Sequence, residues 1–186
     1  MTPRTPPAGP PPPPPTTPPG PPGPRGPRPG CMPAYALLDN IRSAWNVGSM
    51  FRTADAAGLS GLYLCGMTAT PPRTDLEKTA LGSSVSVPWD YWADSTAAVH
   101  RLRDAGVQVV AVEVSPEAAP YDGFAYRFPV CFVVGHEVGG VRSEILAAAD
   151  ATVAIPMWGR KDSLNVAVSF GILVFELRRR WQVLGA

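Results

Sequence analysis

Several features that identify common classes of protein are missing from this sequence. No apolar stretch approaches the ~20 residues that a membrane span requires, and the N-terminus lacks the apolar segment of a secretion signal. The three cysteines, Cys31, Cys65 and Cys131, include no CxxC pair, which argues against a disulfide framework or a thiolate metal site. With 16 basic and 15 acidic residues, the chain has no overall positive field for nucleic acid. We therefore expect a cytoplasmic protein with reduced thiols and no metal ion.

Proline is abundant only at the N-terminus. Residues 1–33 hold 17 of the 24 prolines, three arginines and no acidic residue. Ordering this backbone costs about 1–2 kcal/mol per residue, and the segment has almost no apolar side chain whose burial would offset that cost. We predict a disordered tail over residues 1–33 and one domain over residues 34–186. The tail is a spacer or an RNA-contacting arm, or translation begins at Met32, and the composition leaves these alternatives open.

The remaining residues alternate short apolar runs with amphipathic stretches. This pattern predicts an α/β fold with a mainly parallel sheet and helices on both faces. Strands are predicted at residues 35–38, 61–64, 107–112, 130–134 and 151–155, and helices at 47–57, 95–105, 142–149 and 164–181. Asp94 is a predicted helix cap, and Gly58 is a predicted helix end. The last helix is apolar on nearly all faces in its first half, which predicts packing against a second subunit.

Ligands of an open α/β sheet bind beyond the carboxyl ends of its strands, so the loops leaving the strands are candidate sites. The first loop puts Asn46 near a helix start and Arg52 six residues later. The ordinary explanation is a helix cap and a surface arginine. The loop over residues 135–141 contains three glycines and Glu137, and it matches neither GxGxxG nor HExxH.

The loop over residues 156–167 has an unusual order of properties. A glycine turn and two cations follow an apolar strand, and then Ser163 and Asn165 enter an apolar helix. An amide at the start of such a helix is unfavourable unless it is hydrogen-bonded, so a ligand or a structural partner must satisfy Asn165. The structural alternative is that Asp162 or Ser163 caps the helix while Asn165 is bonded locally.

In this order and spacing, the three loops resemble the motifs of the SpoU/TrmH family of SPOUT RNA methyltransferases. The resemblance rests on the stretches Asn46-Val-Gly-Ser-Met-Phe-Arg52, Gly135-His-Glu137-Val-Gly-Gly140 and Ile155-Pro-Met-Trp-Gly-Arg-Lys-Asp-Ser163-Leu-Asn165, and on the segment Lys78-Thr-Ala-Leu-Gly82. It implies a C-terminal trefoil knot, a homodimer and bound S-adenosyl-L-methionine. The implied reaction is methyl transfer to a ribose 2′-hydroxyl of tRNA or rRNA.

The resemblance also implies roles for individual residues. The polar positions expected to act in catalysis are Arg52, Asn46, Glu137, Ser163 and Asn165. Backbone groups expected to hold the cofactor, with Gly135 and Gly159 allowing close approach, belong to Val134, Gly135, Ile155, Met157, Leu164 and Ala167. We expect a local cationic surface for RNA to be formed by Arg42, Arg73, Lys78, Arg160 and Lys161.

The resemblance also implies that Arg52 activates the ribose 2′-hydroxyl. A guanidinium stays protonated in proteins, so we expect Arg52 to stabilise negative charge developing on the 2′-oxygen and to grip a phosphate. Two alternatives remain: a non-catalytic RNA-binding protein of the same fold, and an unrelated nucleotide enzyme with a Rossmann-like sheet. The missing GxGxxG disfavours the second. The sequence does not identify the RNA, the nucleotide or the general base.

Overall fold

A seven-stranded sheet organises residues 30–185, the part of the chain that the computed structural model describes. The predicted tail over residues 1–33 lies outside this part except for its last four residues. In chain order the strands are β1 (Met32–Asp39), β2 (Leu59–Cys65), β3 (Trp89–Trp92), β4 (Gln108–Val112), β5 (Ala119–Pro120), β6 (Val130–Val134) and β7 (Ala151–Ala154). Their order across the sheet is β3-β2-β1-β6-β4-β7-β5, and all the neighbouring pairs are parallel.

Six helices accompany the sheet in this part of the chain: α1 (Ala44–Ala57), α2 (Thr74–Ala80), α3 (Ser83–Ser86), α4 (Ser95–Asp104), α5 (Ser143–Ala148) and α6 (Val166–Val183). Helix α1 ends at Gly58, whose φ of +70° is a left-handed conformation that glycine adopts without strain. The Asp94 side chain accepts a hydrogen bond from the Thr96 amide at the start of α4, as predicted. Neither Asp162 nor Ser163 caps α6, because Asn165 itself occupies the capping position.

The central strands are buried on both faces. Along β1, Ala34, Ala36 and Leu38 pack in an apolar cluster with α1 and α6, whereas Tyr35 and Leu37 pack in a second cluster with α4 and α5. Alternate residues of a strand point to opposite faces, so this division places helices on both sides of the sheet, as predicted. None of the described helices is long and apolar enough to cross a membrane.

All five predicted strands are present: β6 has the predicted ends, and the other four are shifted at one or both ends. Strand β1 begins at Met32, whose side chain is buried, three residues before the predicted start. The edge strands β3 and β5 and the helices α2 and α3 are not among the predicted elements. Helix α6 begins two residues later than predicted and extends to Val183. The trefoil knot stays a prediction.

A buried carboxylate holds the carboxyl end of β1. Asp39 is fully buried and accepts hydrogen bonds from the Ser95 hydroxyl, from Arg142 Nε at 3.1 Å and from Asn40 Nδ2 at 2.7 Å. Pairing with Asp39 raises the pKa of Arg142 further above its usual range. A buried carboxylate is tolerated only when it is paired and hydrogen-bonded, so this network fixes the start of α4 and of α5 against β1.

Gly48 allows α2 to pack closely on α1. A Cβ atom at residue 48 would collide with the Thr79 hydroxyl and with the Leu76 carbonyl oxygen. The Thr79 hydroxyl also donates a hydrogen bond to the Trp45 carbonyl oxygen at 3.1 Å. The glycine of the first motif is therefore explained by helix packing, and so is the threonine of the segment at residues 78–82.

Candidate active site

A cleft opens at the carboxyl ends of β4, β6 and β7, which lie side by side in the sheet. Two loops form its other walls: residues 135–141 after β6 and residues 155–165 after β7. Five of the six residues predicted to hold the cofactor line this cleft: Val134, Gly135, Ile155, Met157 and Leu164. The sixth, Ala167, is not part of the lining and lies in the first turn of α6.

The cleft combines apolar walls with acidic side chains. Its carboxylates belong to Glu113, Glu137 and Asp162, and its apolar walls include Val112 and Leu164. No lysine or arginine from residues 30–185 lines it. The electrostatic field of such a cleft favours a ligand with positive charge and disfavours one that carries phosphates.

The loop after β6 closes on itself. His136 and Gly140 exchange backbone hydrogen bonds of 3.0 and 2.8 Å, and the His136 imidazole accepts bonds from the Val138 and Gly139 amides. A Cβ atom at Gly135 would collide with the Gly140 carbonyl, so the loop itself requires glycine at 135. A Cβ atom at Gly159 would meet no other atom within 4 Å, and the described residues therefore place no such requirement on that position.

Glu113, which directly follows β4, is a site residue that the sequence analysis missed. Its carboxylate accepts hydrogen bonds from the Val141 amide at 2.7 Å and from the Val114 amide at 2.9 Å, while it also lines the cleft. A side chain at Gly140, whose φ is +65°, would collide with this carboxylate. An acidic residue immediately after an apolar strand was the available signal.

Glu137 ties the loop after β6 to the start of α1. Its carboxylate accepts hydrogen bonds from the backbone amides of Arg42 and Ser43, both at 2.9 Å, and from Asn46 Nδ2 at 3.1 Å. Partial burial raises the pKa of Glu137, but these bonds outweigh it and hold the pKa below its usual range. The carboxylate is therefore ionised at neutral pH and serves here as an acceptor.

Asn46 and Asn165 extend this connection to the last helix. Asn165 Nδ2 lies 3.3 Å from Asn46 Oδ1, and Asn165 Oδ1 accepts a hydrogen bond from the Ala167 amide at 2.9 Å. Asn46 is not the cap of α1, because that position belongs to Ser43, whose hydroxyl accepts from the Asn46 amide. A chain of hydrogen bonds thus joins all three loops, and it satisfies the Asn165 amide without a ligand.

The other two polar residues with predicted catalytic roles, Ser163 and Arg52, are both exposed. Ser163 is exposed and lines the cleft, where its hydroxyl contacts Asp162 at 3.3 Å. Arg52 is exposed on α1, six residues and so about 9 Å along the helix axis from Asn46. It does not line the cleft, and its side chain has no hydrogen-bond or ion-pair partner within residues 30–185.

The five cations predicted to bind RNA are all exposed, but they are not equally available. Arg73 forms a bidentate pair with Asp75 at 2.8 and 2.9 Å. The Lys78 ammonium lies 5.9 Å from the centre of the Trp45 ring, beside Asn46. The other three lie in the loops of the site: Arg42 before α1, and Arg160 and Lys161 between β7 and α6.

Comparison with known proteins gives a consistent result. A family model described as the SpoU rRNA Methylase family matches residues 33–175. The 23S rRNA (guanosine(2553)-2'-O)-methyltransferase RlmP of Bacillus subtilis (strain 168) is 34% identical over 142 residues, which are 76% of this chain and 56% of that protein. The tRNA (guanosine(18)-2'-O)-methyltransferase of Aquifex aeolicus (strain VF5) is 32% identical over 142 residues, which are 76% of this chain and 67% of that protein.

The solved structures that resemble this fold are also of RNA-modifying enzymes. The AdoMet-bound rRNA methyltransferase from Sinorhizobium meliloti matches with a TM-score of 0.74 at 38% identity, covering 79% of this chain and 56% of that one. The A. aeolicus TrmH/SpoU tRNA modifying enzyme matches with a TM-score of 0.76 at 30% identity, covering 83% of this chain and 78% of that one. The chain thus spans about 56–67% of the length of the two curated relatives.

Proposed function

Because the chain belongs to the SpoU rRNA methylase family, we propose that it transfers a methyl group from S-adenosyl-L-methionine to a ribose 2′-hydroxyl of tRNA or rRNA. The predicted family and its parallel α/β fold are confirmed. The observation that carries the proposed chemistry is the acidic cleft, with apolar side chains in its walls, at the carboxyl ends of β4, β6 and β7. Relatives of 32–34% identity that are named as tRNA and rRNA 2'-O-methyltransferases support the substrate class.

The residues of the cleft fit this cofactor. When bound, S-adenosylmethionine supplies an electrophilic methyl group on a positively charged sulfonium, and it carries no phosphate. Apolar side chains such as Val134, Ile155 and Leu164 suit its adenine ring, and the carboxylates of Glu113 and Glu137 suit its positive charge. The same cleft suits a dinucleotide poorly, which argues against a Rossmann-type nucleotide enzyme.

The reaction forms a bond between the 2′-oxygen and the methyl carbon, breaks the carbon–sulfur bond and releases the hydroxyl proton. It requires the oxygen to approach in line with the breaking bond, so positioning contributes much of the catalysis. We assign positioning to the chain of hydrogen bonds through Glu137, Asn46 and Asn165. It joins the loop after β6 to the start of α1 and to the start of α6. Ser163, on the cleft wall, orients the ribose.

Arg52 is assigned the role of stabilising charge on the 2′-oxygen and holding the adjacent phosphate. Its guanidinium is exposed and unpaired within the described residues, so its five donors are available to a ligand. We assign contacts with the RNA backbone to Arg42, Lys78, Arg160 and Lys161, and a lesser part to Arg73, since Asp75 already holds it.

The proposal includes a homodimer in the cytoplasm. Helix α6 packs on α1 and leaves two apolar side chains about half exposed, Val168 at 50% and Phe175 at 53%. A second copy would bury these side chains. The free thiols of the buried Cys65 and Cys131 suit a reducing compartment.

The test is to incubate the full chain with methyl-labelled S-adenosylmethionine and RNA from a strain that lacks the gene, and to map the label. We expect one or a few 2′-O-methylated nucleotides, and no transfer to the same RNA with a 2′-deoxy substitution at that nucleotide. Calorimetric titration with S-adenosylmethionine accompanies it. Cofactor binding without transfer to any RNA would favour the non-catalytic alternative, and absence of both would refute the proposal.

A further inference from the structure

One tryptophan beside the cleft is almost fully exposed. Trp158 lies in the loop between β7 and α6 and is 90% accessible to solvent. Within residues 30–185 its ring makes no aromatic, cation–π or hydrogen-bonding contact. Burying a tryptophan removes about 150–250 Å² of surface from water. The fold of residues 30–185 does not gain the favourable free energy of that burial at Trp158.

The loop that carries Trp158 begins and ends at the cleft. Met157 lines the cleft directly before the tryptophan, and Asp162 and Ser163 line it further along. The intervening residues, including Arg160 and Lys161, are exposed and do not line it. Trp158 and two cations are thereby held at the rim of the cleft, while the cleft itself is acidic.

We propose that Trp158 stacks on a nucleobase of the RNA, next to the ribose presented to the cleft, while Arg160 and Lys161 hold the neighbouring phosphates. This inference rests on the proposed function. An exposed aromatic ring beside cations is the combination by which proteins bind single-stranded RNA, since every base offers a face for stacking. The acidic cleft repels phosphates, so the backbone has to be held outside it, where the cations are.

The charges also distinguish RNA from a second copy of the chain as the occupant. Packing of the loop in a subunit interface would desolvate the Lys161 ammonium, and lysine is depleted from such interfaces. The apolar side chains left half exposed on α6, Val168 and Phe175, offer a second copy an interface without this cost.

The experiment compares Trp158→Ala and Trp158→Phe in the full chain. The probes are a fluorescently labelled 12-nucleotide oligoadenylate and an abasic ribose-phosphate chain of the same length. We expect Trp158→Ala to weaken oligoadenylate binding at least about fivefold. Trp158→Phe should retain most of the affinity, and the abasic chain should bind equally to all three proteins. Affinity for S-adenosylmethionine and sedimentation mass should not change.

Salt dependence separates stacking from charge. Arg160→Gln should lower the slope of log affinity against log salt by about 0.7, whereas Trp158→Ala should leave the slope unchanged.

Equal loss of affinity for oligoadenylate and for the abasic chain would overturn the stacking role, as would conversion of a dimer to a monomer by Trp158→Ala. Unchanged RNA affinity in Trp158→Ala, with a wild-type chain that methylates RNA, would refute this inference alone. A wild-type chain that binds neither probe and transfers no methyl group would refute the proposed function as well.

Discussion

Replacing Glu137 with glutamine tests whether one carboxylate holds the site together. Glu137 accepts three hydrogen bonds from the start of α1, from the backbone amides of Arg42 and Ser43 and from Asn46 Nδ2. In Glu137→Gln one of the two oxygens becomes an NH2 group, which faces a donor and removes at least one bond whichever way the amide turns.

The size of the effect follows from the bonds that are lost. Hydrogen bonds to charged groups contribute about 1.5–3 kcal/mol each, and solvent at this exposed site reduces that figure. We expect the free energy of unfolding at pH 7 to fall by about 2 kcal/mol, which lowers Tm by about 4–8 °C for a domain of this size. Affinity for S-adenosylmethionine should also fall, because Glu137 and its neighbours His136 and Val138 line the cleft.

The pH dependence has a defined sign. The folded state holds the pKa of Glu137 below its usual range, so the carboxylate stabilises the fold fully above the unfolded-state pKa of about 4.3. That stabilisation is lost as the pH falls through the lower folded-state pKa. The difference in stability between the wild-type chain and Glu137→Gln should therefore be largest at neutral pH and should shrink in acid.

Denaturant and thermal unfolding at several pH values measure this difference, with Glu117→Gln as the matched control. Glu117 is also exposed, and within residues 30–185 it makes no hydrogen bond or ion pair. If Glu137→Gln and Glu117→Gln change stability by the same amount at pH 7, or if the gap does not depend on pH, the reasoning is wrong. A double-mutant cycle with Asn46→Ala would then measure the interaction energy between Glu137 and Asn46 by itself.

Three other substitutions test separate parts of the site. Arg52→Lys keeps the charge and loses the planar donors, so we expect turnover to fall by about 10²-fold with unchanged cofactor affinity; near wild-type single-turnover rates would contradict the role. Gly48→Ala forces α1 and α2 apart and should lower the free energy of unfolding by about 1–3 kcal/mol, whereas Gly159→Ala, which has free space, should change it by less than about 0.5 kcal/mol. Gly135→Ala collides with the loop after β6 and should weaken S-adenosylmethionine binding by about tenfold in calorimetry, while a normal affinity would show that the loop adapts.

The sequence predicts the central strands well because they are continuous apolar runs. The two missed strands lie at the edges of the sheet, where burial is incomplete. Strand β3 has Asp90 between the partly buried Trp89 and the exposed Tyr91, and β5 has only two residues, one of them Pro120. Neither produces the apolar run or the regular alternation that marks a strand. The order of the strands depends on pairing between distant residues, which local patterns do not record.

For the site, the motifs predict that certain polar residues lie close together, but they do not predict the contacts that those residues make. Asn46, Glu137 and Asn165 are expected near each other, but their bonds join residues 91 and 119 positions apart, and no local spacing encodes them. Glycine at 135 is expected to admit a ligand, and the loop itself also requires it, because a Cβ atom there would collide with the carbonyl of Gly140. Glu113 is missed because its role depends on a loop 28 residues further along the chain.

The order of strands in the sheet constrains how the chain can fold as it is synthesised. When the first 129 residues have been made, β3, β2 and β1 can pair, but β4 has no neighbour among the strands present, because β6 lies between β1 and β4 and β7 between β4 and β5. The last third of the chain therefore has to join three separate parts of the sheet: β3-β2-β1, β4 and β5. The same segment supplies both loops of the cleft, so a nascent chain acquires this cleft and its continuous sheet in the same late step.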